Sequence, residues 1–225
     1  MIAISGFNAT GIDSILKAAG VPKGSFYHHF GSKENFGIEV INLFAERYAQ
    51  KLHSYFDDQS VAPLTRIRNY LEQSIEHLTQ ENFSKGCLIG NLGQELADQN
   101  ERFRDRLAEV FFDWLALFAD CLRQAQRNGT LDPQLDPQKL ASFLLSGWEG
   151  AILRAKVMRS PEPLKQFVGI LFTTVLTAGQ FFRPHNTRLI PHGTRGHGTG
   201  TPRWPRRHNV PHSGLQTIHI QRAYP

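Results

Sequence analysis

The chain has 225 residues, 40% hydrophobic and 11% aromatic, enough for one or two compact domains with a real core. Its two cysteines, Cys87 and Cys121, lie far apart in apolar surroundings, which excludes a disulfide framework and fits a reducing, cytoplasmic setting. The net charge of +5 is misleading: residues 183–225 hold seven Arg and no Lys, Asp or Glu, leaving 18 basic against 20 acidic residues elsewhere, so charge alone does not argue for nucleic acid.

The opening MIAISGFNATG has neither the basic nor the long apolar region of a secretory signal. Thr10 is placed to cap a short helix over Gly11–Ala19, with Ile12, Ile15 and Leu16 inward. Gly20 supplies the left-handed residue of a tight turn, and Val21 plugs the space between two crossing helices. Pro22 and Lys23 start a second helix, Gly24–Phe30. A short support helix, a turn with glycine and a second short helix make helix–turn–helix spacing. Phe26 and Phe30, four apart, root the second helix, which leaves Lys23, Gly24, Ser25, Tyr27, His28 and His29 on its outer surface.

That surface suits a duplex. A helix N-terminus offers free N–H groups to phosphate, Lys23 adds a charge, Ser25 a hydroxyl, and Tyr27 a flat ring ending in a donor. His28 and His29 can donate to phosphate or meet base edges. Ser32 caps the next helix and Lys33 is within reach of the backbone. The plainer alternative is an exposed polar hairpin with two packing phenylalanines.

Beyond Ser32 the periodicity is helical. Phe36, Val40, Phe44, Tyr48 and Leu52 make one stripe; Leu64, Ile67, Leu71, Ile75 and Leu78 a second. Phe103, Leu107, Val110, Trp114, Leu117, Cys121 and Ala125 make a third, stopped by Asn128-Gly129. A helix near Gln138–Arg159 follows, then another opened by Ser160-Pro161, with Leu164, Phe167, Val168, Leu171 and Val175 inward. The 17 uncharged residues between Lys165 and Arg183 include three Thr and read as a buried or subunit-facing helix, not a membrane span. With no useful strand alternation, the fold class is all-α. From Pro184 the composition turns to Pro, Gly, Arg and six of the ten His, which predicts a disordered basic tail over 183–225, either a DNA-gripping arm or a stretch without evolved function.

The string GFNATGIDSILKAAGVPKGSFYHHFGSKE, Gly6–Glu34, resembles the DNA-binding motif of the TetR/AcrR family of bacterial transcriptional regulators almost continuously. The resemblance implies a headpiece over 1–34, a helical ligand-binding and dimerisation domain over 35–182, and the tail beyond. It implies a homodimeric repressor in the cytoplasm, released from double-stranded operator DNA by a small molecule or by cysteine modification. It implies no enzyme activity, no cofactor and no membrane. Thr10 and Lys33 map to phosphate contacts; Lys23, Gly24, Ser25, Tyr27, His28 and His29 map to the recognition surface; Phe26 and Phe30 map to its core. In the family a helix precedes the "GF" element, whereas only Met1–Ser5 precede Gly6, so the headpiece reads as truncated. Loss of that helix is expected to uncover Ile12, Leu16, Phe26 and Phe30, at about 1.5–3 kcal/mol per large side chain, and to weaken DNA binding. An upstream-extended chain of equal operator affinity would remove this expectation. The alternative function is a headpiece-defective relative that dimerises without binding DNA itself.

FSKGCLIGNLGQELADQ, Phe83–Gln99, places Cys87 in the first turn of a helix, where the helix dipole and Lys85 are expected to lower the thiol pKa. The segment resembles family members that respond to electrophiles, reactive chlorine or small unsaturated acids through a Gly-Cys-Leu cysteine; the alternative is a small residue filling a helix junction. Phe111, Phe112, Trp114, Phe118, Phe143 and Trp148 either line a ligand cavity or are plain core. Arg154 and Glu149 fall near a helix face that the family buries, where each would orient an acid ligand or form an ion pair. Cys121, in mid-stripe, reads as inert core. No metal-ligand spacing, phosphate loop or ordered Ser/His/Asp set is present.

Overall fold

The structure, a computed structural model, describes residues 1–177. The predicted tail over 183–225 lies outside the described residues. Among the described residues nine α-helices follow in order: α1 Ile2–Ser5, α2 Ile12–Ala19, α3 Lys23–Phe30, α4 Lys33–Phe56, α5 Pro63–Gln80, α6 Leu88–Leu96, α7 Glu101–Arg127, α8 Pro137–Met158 and α9 Glu162–Ile170. After α9 the chain winds wider, as a π-helix, over Leu171–Val175. Among the described residues there is no strand, as the periodicity predicts.

Short-range chemistry sets the helix starts. Ser32 accepts a hydrogen bond from the Asn35 amide at 3.0 Å and Asn100 one from the Phe103 amide at 3.1 Å, opening α4 and α7. Asp136 accepts from two amides at the head of α8, where Pro137 lacks an N–H to satisfy. Gly20 closes α2 with φ +67°. Thr10 does not cap α2: Gly11 occupies the cap position, and the Thr10 hydroxyl donates backwards to the Gly6 carbonyl at 2.5 Å.

Helix α7 lies at the centre and packs against α4, α5, α6 and α8. Its predicted stripe is buried, apart from half-buried Leu117, and Phe118 and Leu122 join it. Trp114, Trp148, Tyr70 and Phe118 are fully buried, each contributing on the order of 2–3 kcal/mol by apolar burial. In its first three turns the stripe of α4 is one residue out of register with expectation, while Leu52 is buried as expected. Gly37, Ile41, Ala45, Leu52 and Phe56 face the core, whereas Phe36, Val40, Phe44 and Tyr48 flank it half-buried. The shift arises because Gly37 lets two rings approach the backbone: a Cβ there would stand 2.5 Å from the Phe7 ring and 2.7 Å from that of Phe103.

The headpiece, α1 to α3, is docked on the bundle through the same point. Phe7 meets Phe103 edge to face, with ring centres 5.1 Å apart. Of the four side chains expected to be uncovered, Leu16 and Phe26 are buried while Ile12 and Phe30 are half-buried, and Phe36 from α4 packs against both Phe26 and Phe30. Gly37→Val should therefore force the two rings apart, costing about 1–3 kcal/mol. Urea unfolding of the two proteins measures this, and an unchanged midpoint would contradict the docking geometry.

Candidate nucleic-acid interface and buried thiol

Helix α3 presents the predicted surface. Lys23, Gly24, Ser25, Tyr27, His28 and His29 are all exposed, while Phe26 is buried and rings with Phe30 and Phe36 hold it in place. No side chain caps the start of α3, so the amides of its first turn remain available to an acceptor. Lys23 is held at the entrance by Asp13 of α2 at 3.1 Å, and the hydrogen bond and charge of Asp13 raise its pKa. The ammonium thus stays protonated at neutral pH.

Thr10 and Lys33 have local partners. The Thr10 side chain is buried and its hydroxyl proton goes to Gly6. Lys33 donates to the Asn8 carbonyl at 3.3 Å and lies 4.7 Å above the centre of the Phe7 ring. Both residues brace the loop ahead of α2.

In the regulatory half, Cys87 is the N-cap of α6, one residue before the helix in which it was expected. Its sulfur accepts from the Gly90 amide at 3.5 Å. The expected low thiol pKa does not hold. Burial pushes the thiol well up and the neighbouring Glu149 charge pushes it further, outweighing the amides of Gly90 and Ile89. Lys85, the cation expected to help, is paired with Glu81 at 2.7 Å. Glu149 itself is pushed up to about 7 by burial, against the hydrogen bond with Cys87. Its carboxyl fills the space over Gly90, where a Cβ would collide with it.

Two tyrosines, from α4 and α5, lie within electrostatic reach of this pair. Tyr48 of α4 and Tyr70 of α5 are hydrogen-bonded through their hydroxyls, and burial first raises both pKa values, with Cys87 and Glu149 among the further causes. Trp114 packs on Tyr48 with centres 4.3 Å apart, and Phe111 meets Trp114 at 5.8 Å. Trp148 is buried against Phe167, and its indole N–H has no partner among the described residues. Phe112 and Phe143 are exposed and line no interior site, because they lie on the outer faces of α7 and α8. Arg154 is also exposed on α8 and is not brought into the cluster. On its outer side the thiol borders a cleft of about 10 Å³ lined by Gly86, Asn91, Gln94, Glu149 and Lys156, room for one water. Lys156 donates to the Lys85 carbonyl at 3.4 Å.

Tyr48, Tyr70 and Lys156 are absent from the sequence-derived site because their spacing along the chain is that of ordinary helix positions. Cys121 is buried as expected; its thiol donates to the Pro63 carbonyl at 3.2 Å, and burial pushes its pKa up to about 12. Among the described residues, no group of His, Cys, Asp and Glu is placed to hold a metal ion, and no helix is long and apolar enough to cross a membrane.

The Glu149 environment has a pH signature. Folded Glu149 holds its proton to about pH 7, whereas an ordinary carboxyl releases it near 4.5. The folded state binds more protons across that window, so stability falls as pH rises through it and the cost is complete above it. Glu149→Gln cannot ionise and should be more stable than wild type at pH 8 by about 1–3 kcal/mol, with the gain shrinking below pH 5. Urea titrations at the two pH values check this; a gain independent of pH would refute the assignment.

Comparison with known proteins agrees with both halves. The pattern of bacterial regulatory proteins, tetR family, matches residues 1–40, and that of the tetracyclin repressor-like, C-terminal domain matches residues 63–171. The chain is 44% identical to the transcriptional regulator AcuR of Cereibacter sphaeroides over 72% of its own length and 74% of the relative's. It is 40% identical to the HTH-type transcriptional repressor DhaR of Mycobacterium sp. over 76% and 84%. The crystal structure of reduced Escherichia coli NemR superposes with a TM-score of 0.70 at 33% identity, covering 75% of this chain and 87% of that one. A chain helical throughout its described part, with an exposed recognition helix, matched by family patterns over residues 1–40 and 63–171 and by relatives of this identity, belongs to the TetR family and is a DNA-binding transcriptional repressor with an N-terminal DNA-binding and a C-terminal ligand-binding domain.

Proposed function

We propose that this chain works as a cytoplasmic homodimer that leaves its operator when a small electrophile or unsaturated acid reaches Cys87. The observation that carries this reading is the pairing of Cys87 with Glu149 at the head of α6, beside a cleft. A neutral, buried thiol is a poor nucleophile, and an adjacent carboxylate is the base that activates it. As sulfur bonds to the β-carbon of an α,β-unsaturated acceptor, its proton passes to Glu149. The π electrons move to the acceptor's α-carbon, which then takes a proton back. The volume added to sulfur in so tight a space favours a shifted arrangement of the surrounding helices. The relative NemR has been crystallised in a reduced form, which fits a regulator whose state is set at a thiol.

For the DNA half, Lys23, Gly24, Ser25, Tyr27, His28 and His29 form the groove-facing surface, and Thr10 and Lys33 support the backbone near phosphate. Phe111, Trp114 and Trp148 are the aromatic residues we assign to the effector, and the indole N–H of Trp148, without a partner among the described residues, suits an acceptor atom such as a carboxylate oxygen. Phe143, Leu153, Val157, Met158 and Ile170 are exposed apolar side chains on α8 and α9, which supports pairing of these helices with their copies. Pairing places two α3 helices for successive major grooves, about 34–36 Å apart. A shift of α4, which runs from the headpiece into the core, changes that spacing and lowers affinity. Arg154, exposed on the same helix as the pairing residues, would orient an acid ligand or form an ion pair at that face.

Operator-fragment anisotropy with N-ethylmaleimide tests this. Wild type should release the fragment as Cys87 is alkylated, and Cys87→Ser should remain bound. A Cys87→Ser protein that releases like wild type would remove thiol sensing, and a wild type with no preference for any promoter fragment over random DNA would remove the operator reading.

A further inference from the structure

Glu95 stands in the last turn of α6, on the regulatory half, yet its carboxylate is spent on the headpiece. One oxygen accepts from the Phe7 amide at 2.8 Å and the other from the Asn8 amide at 2.7 Å. Both amides belong to the loop between α1 and α2, where no helix supplies them with a partner. Gly6 ahead of them has φ +85°, and a Cβ there would lie 2.9 Å from a Glu95 oxygen, so glycine both permits the turn and admits the carboxylate. Gln99 extends the grip: its oxygen accepts from the Asn8 side chain at 3.0 Å while its own amide donates to the Glu95 carbonyl at 2.7 Å. Successive backbone N–H groups around one carboxylate form an anion nest, and hydrogen bonds to an ionised acceptor are roughly twice as strong as neutral ones. The other end of the same nine-residue helix is Cys87.

We propose that the Glu95 carboxylate, clasping the Phe7 and Asn8 amides, is the positioning residue that holds the headpiece in its operator-binding pose, with α6 as the lever joining it to the Cys87 end. The role of the clasp in operator binding rests on the DNA reading above, and its link to Cys87 also rests on the effector reading. Glu95 is not on the recognition helix and its charge would repel phosphate, so it acts on DNA affinity through geometry and not through contact. An α6 displaced at its Cys87 end carries Glu95 off the two amides, and the loop ahead of α2 then loses its fixed register with the bundle.

The full chain carrying Glu95→Gln keeps the side-chain shape and loses the charge and one acceptor. Its operator affinity should fall about tenfold or more, with the slope of log affinity against log salt unchanged because no phosphate contact is lost. Amide hydrogen exchange at Phe7 and Asn8, followed without DNA, should quicken while exchange in α7 stays as in wild type. Alkylation of Cys87 in wild type should quicken the same two amides. Operator affinity within twofold of wild type would overturn the positioning role, and unaltered exchange at Phe7 and Asn8 would overturn the clasp. A smaller salt slope would overturn its indirect action, and alkylation that leaves the two amides protected would overturn the lever. A wild type without operator preference would defeat the DNA reading and the pose with it, whereas the exchange data decide on their own whether the carboxylate holds the loop.

Discussion

The phenyl ring of Phe7 sits where the headpiece meets the bundle, against the bare backbone of Gly37 and the ring of Phe103. Everything the recognition helix can do depends on that seat, because α3 is only eight residues long and has one fully buried side chain of its own. Lys33 covers the ring from α4, Glu95 holds its amide from α6, and Arg102 of α7 donates to Glu34 and Asn35 at 2.8 and 3.1 Å. Three helices of the regulatory domain therefore grip the headpiece at separate points. A small helical unit that could not bury enough surface alone borrows its order from a larger one.

The interior of the regulatory half combines a well-filled aromatic core with a few polar groups that are satisfied to different degrees. Arg66 is 3% exposed and gives its donors to the carbonyls of Val61 and Phe56 at 2.6 and 2.8 Å and to the Gln124 side chain at 2.8 Å. It ties the end of α4 to α5 and α7, and the negative C-terminal end of α4 is the natural neighbour for a guanidinium. Tyr48 and Tyr70 satisfy each other's hydroxyls. Glu149 has no such neutral solution: its buried carboxyl must hold a proton or bear an uncompensated charge beside the Cys87 thiol. Strain of that kind in a core is characteristic of a place where state matters more than stability.

Much of the fold was legible in the sequence because helical periodicity, caps and glycine stops are local. The buried face of α7, the Ser32 cap, the left-handed Gly20 and the anchored Phe26 all follow from residues within a few positions of each other. The misses are of another kind. The first three turns of the α4 stripe were placed one residue early because Gly37 has no apolar side chain to register, although its emptiness is what two distant rings require. Thr10 looked like a cap because Thr before a helix usually is one, and it bonds backwards to Gly6 instead. Cys87 looked activated because a helix start and a nearby lysine favour a thiolate; the lysine pairs elsewhere, and a glutamate 62 positions further on takes its place.

The sequence by itself determined that the chain is helical, that a short polar-faced helix follows a glycine turn, and that this segment has the chemistry of a DNA reader. Those properties depend on spacing within one or two turns, where covalent connection does most of the ordering. Only the tertiary structure decided which charges meet: Glu95 with the Phe7 and Asn8 amides, Glu149 with Cys87, Arg66 with the end of α4. Electrostatic partners separated by tens of residues leave no periodic trace in a chain, and burial changes the sign of what each neighbour does to a titrating group.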